Sequence, residues 1–185
     1  MRTTIFAAVL ALATVVAAEF TCVNPHVTEQ TTAGQNGEVV VKALQCENEA
    51  ELRSIHDTIR FARRQSAPVD VCGNTCNTNC FSGQVGTGPN PNDCQIIADA
   101  LLYDSQNVGP LFTTDPANST AVVTMQYQTC EALFINQAGV ALQYCRTDFS
   151  SLTHLLAFNC QAQQNAHGGN CVATDQRWFV QVQHV

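Results

Sequence analysis

Ten cysteines in a chain of 185 residues constrain the fold before any other pattern is read. Thiols at this density belong to oxidising, exported settings, where disulfides staple small cores. Cys72-x3-Cys76-x3-Cys80 superficially resembles a metal knuckle, but zinc motifs pair a short cysteine spacing with a distant second pair or with histidines. Structural disulfides are therefore expected at Cys22, Cys46, Cys72, Cys76, Cys80, Cys94, Cys130, Cys145, Cys160 and Cys171, with no metal and no other cofactor. Eight of these lie beyond residue 65, and eight cysteines allow on the order of a hundred pairings, among which spacing does not choose.

Export is written at the start of the chain. Met1-Arg2 is basic, Ile5 to Val16 is an apolar run of signal-peptide length, and Val16-Ala17-Ala18 offers small residues for cleavage before Glu19. Residues 1–18 are thus expected as a signal peptide and the product as secreted and extracellular. A membrane span needs about 20 apolar residues; this run is interrupted by Thr14 and stopped by Glu19, so no stable membrane insertion is expected. A dibasic pair, Arg63-Arg64, precedes Gln65-Ser66-Ala67-Pro68 and looks like a site for kexin-type processing proteases. Six of the eight basic residues lie at or before that pair, and Cys22 and Cys46 can close on each other upstream of it. Residues 19–64 are expected as a propeptide, or alternatively as a helical extension folded onto the rest, and 65–185 as the disulfide-rich domain.

Beyond residue 65, eight acids face two arginines, a net charge of −6. Nucleic-acid binding draws most of its affinity from Lys and Arg on phosphates, so no nucleic acid is expected as a partner. Amides replace the missing charge, with 14 Gln and 11 Asn in the same stretch. Amides both donate and accept hydrogen bonds, as sugar hydroxyls require, and an uncharged extracellular surface would carry the same count.

The apolar spacing predicts a helix over Asp93–Ser105, with Cys94, Ile97 and Leu101 on one face and Asn92 or Asp93 as its cap. Val108–Thr113 reads as a short strand, 114–118 as a turn, and Ala121–Cys130 as an alternating strand. Leu133–Asn136 and Val140–Cys145 are expected to form a hairpin around Gln137-Ala138-Gly139. Thr147 is expected to cap a second helix with the stripe Phe149, Leu152, Leu156 and Cys160, while Gln161–Asn170 reads as a loop. Arg177–His184 alternates as a final strand. The order α-β-β-β-β-α-β indicates an α+β domain, mainly antiparallel sheet with packed helices. Asn118-Ser119-Thr120 is a glycosylation acceptor, placed by this reading in an exposed turn.

Catalytic signatures are sparse, and no enzyme is expected. There is no G-x-S-x-G elbow. Asp104, Asp115, Glu131, Asp148 and Asp175 offer carboxyl pairs for a polysaccharide hydrolase, and Glu131, His154, His167, Arg146 and Arg177 offer the residue types of a ribonuclease, but neither set forms a motif.

Four stretches carry a resemblance: VCGNTCNTNC (71–80), PNDCQIIADALLYDSQNVG (91–109), LQYCRTDFSSL (142–152) and NAHGGNCVATDQRWFVQVQ (165–183). They resemble a group of small secreted proteins of mushroom-forming fungi, and within it the glycan-binding proteins of the Y-three type, over nearly all of 71–185. The resemblance implies an α-β-α sandwich, a glycan ligand held near the helices and a homodimer joined sheet edge to sheet edge. A sugar site needs an apolar ring face beside planar hydrogen-bonding groups. The segment 165–178 holds that mixture most densely. Trp178 or Tyr103 is expected to stack on a sugar, with Asp175, Arg177, His167 and Asn170 bonding its hydroxyls. The alternative in another class is a small cysteine-rich effector or toxin-like protein that acts on a protein or membrane partner.

Overall fold

The computed structural model describes residues 19–48, 67–82, 87–118, 120–162 and 166–185; the expected signal peptide and the Arg63-Arg64 pair lie outside them. Ten strands are described: β1 (His26–Ala33), β2 (Val39–Gln45), β3 (Val69–Asp70), β4 (Cys76–Ser82), β5 (Leu111–Thr114), β6 (Val122–Tyr127), β7 (Cys130–Asn136), β8 (Leu142–Cys145), β9 (Ala166–Ala173) and β10 (Trp178–His184). Two helices accompany them, α1 (Pro91–Asn107) and α2 (Arg146–Ala162). Seven strands form one antiparallel sheet in the order β1-β2-β6-β7-β10-β9-β4, and β3-β8-β5 form a small second sheet whose β3–β8 pair is parallel. The α+β class with a mainly antiparallel sheet is what the sequence indicates.

Both helices lie against one face of the large sheet. Cys94, Ile97 and Leu101 of α1 and Phe149, Leu156 and Cys160 of α2 join Met125, Phe134, Trp178, Val180 and Val182 in a single core. A third layer, as in an α-β-α sandwich, is not formed by a helix among the described residues. The other face carries a smaller cluster, in which Phe20 and Leu44 cover Val122, Leu133, Ile135 and Phe179. Because both faces are covered, β10 is buried through its first five residues; Trp178, Val180 and Val182 face the helices, and Phe179 and Gln181 face the other way.

Several local expectations are corrected. The cap of α1 is Asn90, whose side chain accepts from the Asn92 N–H, because Pro91 supplies the first helical residue with its φ already set. Asp93 is freed to accept from the Thr129 hydroxyl at 2.6 Å. Val108 is the exposed cap at the end of α1 rather than strand, so β5 starts only after Gly109-Pro110. Leu133–Asn136 and 142–145 do not pair. The hairpin is instead β6–β7, closed by Gln128 at φ +47°, a turn without the usual glycine signal. The chain then crosses to the small sheet, held there by buried Asn136, which donates to Thr114 and Val140 carbonyls and accepts from the Ala138 N–H. Helix α2 follows β8 directly at Arg146, so Thr147 lies inside it. Of the expected loop 161–170, residues 161–162 end helix α2 and 166–170 belong to strand β9.

All ten cysteines are paired: Cys22–Cys46, Cys72–Cys145, Cys76–Cys171, Cys80–Cys160 and Cys94–Cys130. The last four tie α1 to β7, α2 to β4, β4 to β9 and the small sheet's β8 to the stretch before β4. Each joins elements that are distant in sequence, so each removes loop entropy from the unfolded chain, typically ~2 to 4 kcal/mol.

At the core centre, Tyr144 stacks on Phe134 and packs tilted against Trp178, with ring centroids 4.8 Å from each. Burial, helped by the nearby Asp148 carboxylate, pushes its phenol well above the ordinary tyrosine value. An acid whose pKa is raised by folding adds stability that is complete below its unfolded pKa of about 10 and is lost as pH rises toward the folded value. Melting temperature is therefore expected to fall as pH rises above about 10, the unfolded tyrosine value, and to fall less in Tyr144→Phe. Parallel curves for the two proteins would remove the assignment.

Residues 19–48, expected as part of a propeptide, are built into the large sheet. Strand β2 pairs with β6 from Val40↔Gln126 to Leu44↔Val122, and β1 forms the outer edge. The run Val39-Val40-Val41 is β-branched, and the hairpin turn uses Gly34 and Gly37 at positive φ.

Candidate functional site

The expected glycan site does not assemble. Trp178 is fully buried and packed against Phe134 and Tyr144, so it cannot stack on a sugar; strand alternation turned it toward the helices. Asn170 is buried on β9 and accepts from Asn79 Nδ2 at 3.2 Å. His167 is half-buried, 3.2 Å from the Glu19 carboxylate and beside the Phe81 ring. Asp175 and Arg177 pair with each other at 2.7 Å in the β9–β10 turn. Partial burial pushes the Asp175 carboxyl up, but the Arg177 backbone N–H and guanidinium outweigh it and hold the carboxyl below the usual range. Only Tyr103, on α1, keeps an exposed aromatic face.

Elsewhere, a shallower hollow of about 330 Å³ lies beside Gly73, Tyr144 and Asp148. A deeper one of about 320 Å³ lies where β1, β2 and β6 face the end of α1, β5 and the start of α2. That is at the small end of the range for ligand pockets, roughly 300 to 1,000 Å³. Its floor is apolar: Ala33, Val41, Ala43, Leu101, Phe112, Val123, Met125 and Phe149. Its rim is polar, with the Thr31, Thr32, Thr113 and Thr120 side chains, the Glu29 and Asp104 carboxylates and the Arg146 guanidinium.

Local structure fixes these groups. Asp104 lies in the last turn of α1, where its Oδ1 accepts from the Gly34 N–H at 3.2 Å and so ties the β1–β2 turn to the helix. Arg146 Nη1 donates to the carbonyls of Gly109, at 2.7 Å, and Leu111, and the guanidinium lies 5.8 Å from the Phe112 ring centre. Burial lowers the Arg146 pKa, against the opposing pull of Asp104. Thr120 Oγ1 accepts from the Asp115 N–H, which braces that side of the rim. An apolar floor beside hydroxyl, carboxylate and guanidinium groups can hold the C–H face of a pyranose and bond its hydroxyl edge.

No protein-family model matches this chain, and no curated protein matches it. The hollow and its residues therefore rest on the chain's own geometry.

Of the other constellations weighed, Cys72, Cys145 and Asp148 form the one group of metal-ligand types among the described residues. Its sulfurs are bonded to each other, so they are not free thiolates. His154 is exposed and bonds Gln95 at 2.6 Å, while Glu131 accepts from Gln183 at 2.7 Å. Asn118 is exposed in a 3-10 turn over Pro116–Asn118, with its Nδ2 donating to Asp115. No helix among the described residues is long and apolar enough to cross a membrane.

Sequence reasoning missed the wall from β1 and β2. Its signal is the β-branched run Val39–Val41 and the threonines at 31 and 32, which lie upstream of the dibasic pair.

Proposed function

We propose that this protein is an exported carbohydrate-binding module without catalytic turnover, and that it holds a neutral glycan in the hollow between the β1–β2 hairpin and the end of α1. The observation that carries the reading is the pairing of an apolar floor containing Phe112 with a rim of threonine hydroxyls, Asp104, Glu29 and Arg146. Support also comes from the low charge of the chain and its amide-rich surface, and from the resemblance to fungal glycan-binding proteins of the Y-three type. Five disulfides suit an oxidising, extracellular location. Asn118 fits as a glycosylation site, and β1 and β4 are the sheet edges through which two copies would join.

A broad glycan array probed with the oxidised full chain tests the reading. Saturable binding is expected, and Glu29→Gln combined with Asp104→Asn is expected to weaken it roughly tenfold or more, since hydrogen bonds to charged groups contribute about 1.5 to 3 kcal/mol. Binding unaffected by both changes would move the site away from the hollow. Release of product sugars would favour a polysaccharide hydrolase using Glu29 and Asp104, and silence across the array would favour an effector acting on a protein or membrane partner.

A further inference from the structure

The disulfides divide the chain in a way the sheet does not. Cys22–Cys46 closes the N-terminal segment on itself, and the other four bridges all lie within residues 72–171. No bridge joins the two parts, so the backbone between 48 and 67 is their sole covalent link, and Arg63-Arg64 falls inside that stretch.

The noncovalent attachment is extensive. Five residues of β2 pair with β6, from Val40 to Leu44. Val39 is fully buried in the main core, and Leu44 and Cys46 are buried in the cluster on the other face. Phe20 meets Phe179 edge to face at 6.0 Å. The fully buried Gln181 clamps the same residue, its Oε1 accepting from the Phe20 N–H at 2.9 Å and its Nε2 donating to the Phe20 carbonyl at 2.8 Å. Departure of this segment would leave the Gln181 amide without those partners and bare the β6 edge, both of which are costly.

We infer that cleavage at Arg63-Arg64 does not release the N-terminal segment but converts the protein into a two-chain complex, in which residues 19–48 remain as a noncovalent subunit seated on β6 and Gln181. The small chain is then a permanent partner of the large one, unlike a discarded propeptide. The inference does not depend on which ligand the hollow takes, although it keeps that hollow intact, since Thr31, Ala33, Val41 and Ala43 belong to the small chain.

The test begins with the full oxidised chain, cut by a kexin-type protease; a second version carries a site-specific protease sequence in place of residues 60–65, so that a cut is assured. Denaturing, non-reducing mass analysis is expected to show two separate chains, while native size-exclusion chromatography shows one peak at the uncut volume containing both. Phe20→Ala and Gln181→Leu are each expected to speed loss of the small chain from the cut complex roughly tenfold or more, by removing a buried ring or the clamp. A large chain that elutes alone after cutting, with the small chain washed away, would overturn the inference. So would loss rates in both variants equal to that of the parent. Because the readout is chain association, failure of glycan binding leaves this result independent.

Discussion

Gly168→Ala is expected to destabilise the native sheet strongly. Gly168 has φ +108°, and a Cβ there would lie 2.1 Å from the Val182 carbonyl oxygen, an atom of the neighbouring strand β10. Backbone cannot step aside as a side-chain tip can, and positive φ adds strain for any L residue. Together these effects should cost about 4 kcal/mol or more. In a protein of this size that lowers Tm by roughly 10 °C. Thermal melts of the oxidised variant check it, and a Tm within about 2 °C of the parent would show that β9 and β10 can separate cheaply. Gly169 is as confined, with Asn79 O 2.5 Å and the Cys160 sulfur 2.6 Å from its would-be Cβ. The two glycines let β9 fit between β4, β10 and the Cys80–Cys160 bridge, so the HGGN string is a tightly enclosed strand and not a loop.

Trp178→Ala should be of similar size for a different reason. The indole is fully buried, 4.8 Å from Tyr144 and 5.9 Å from Phe134 between ring centroids, so truncation leaves a cavity in the aromatic centre. Large-to-small changes of this kind cost about 3 to 5 kcal/mol. Chemical denaturation should report that loss, while glycan affinity of the fraction still folded stays unchanged. The opposite pattern, intact stability with lost affinity, would restore the ring as a sugar platform. Trp178→Phe should lose much less, because the buried indole Nε1 has no hydrogen-bond partner among the described residues and phenylalanine keeps most of the packing.

How far the sequence carries differs by element. The stripes Cys94-Ile97-Leu101 and Phe149-Leu156-Cys160 are legible because a helix on a sheet buries one face, and both helices appear with those faces inward. The alternation of Trp178, Val180 and Val182 is equally plain. Burial of a strand's second face is not, so Phe179 and Gln181 gave no hint that Phe20 covers them. Strand β4 reads as polar, Cys76-Asn77-Thr78-Asn79-Cys80, because it is an edge held by two bridges rather than by apolar packing. The hollow escaped for a third reason: its walls come from residues 29–43, 101–125 and 146–149, and no local window contains more than part of it. Residue types suited to a sugar are densest in 165–178, whereas the pleat sends Trp178 inward and leaves Asp175 and Arg177 to each other.

Strand β10 is synthesised after the nine other described strands, yet it lies between β7 and β9 near the middle of the sheet. The β9–β4 pair therefore has no hydrogen-bonded link to β7 and the rest of the large sheet until β10 has been made. Cys72, Cys76 and Cys80 appear early and close together, while their partners trail by 73, 95 and 80 residues. Vectorial pairing, each thiol with the next to arrive, would give the wrong bonds. Oxidative refolding of the reduced chain is therefore expected to be faster with a disulfide isomerase present than without one, reshuffling being a process of seconds to hours.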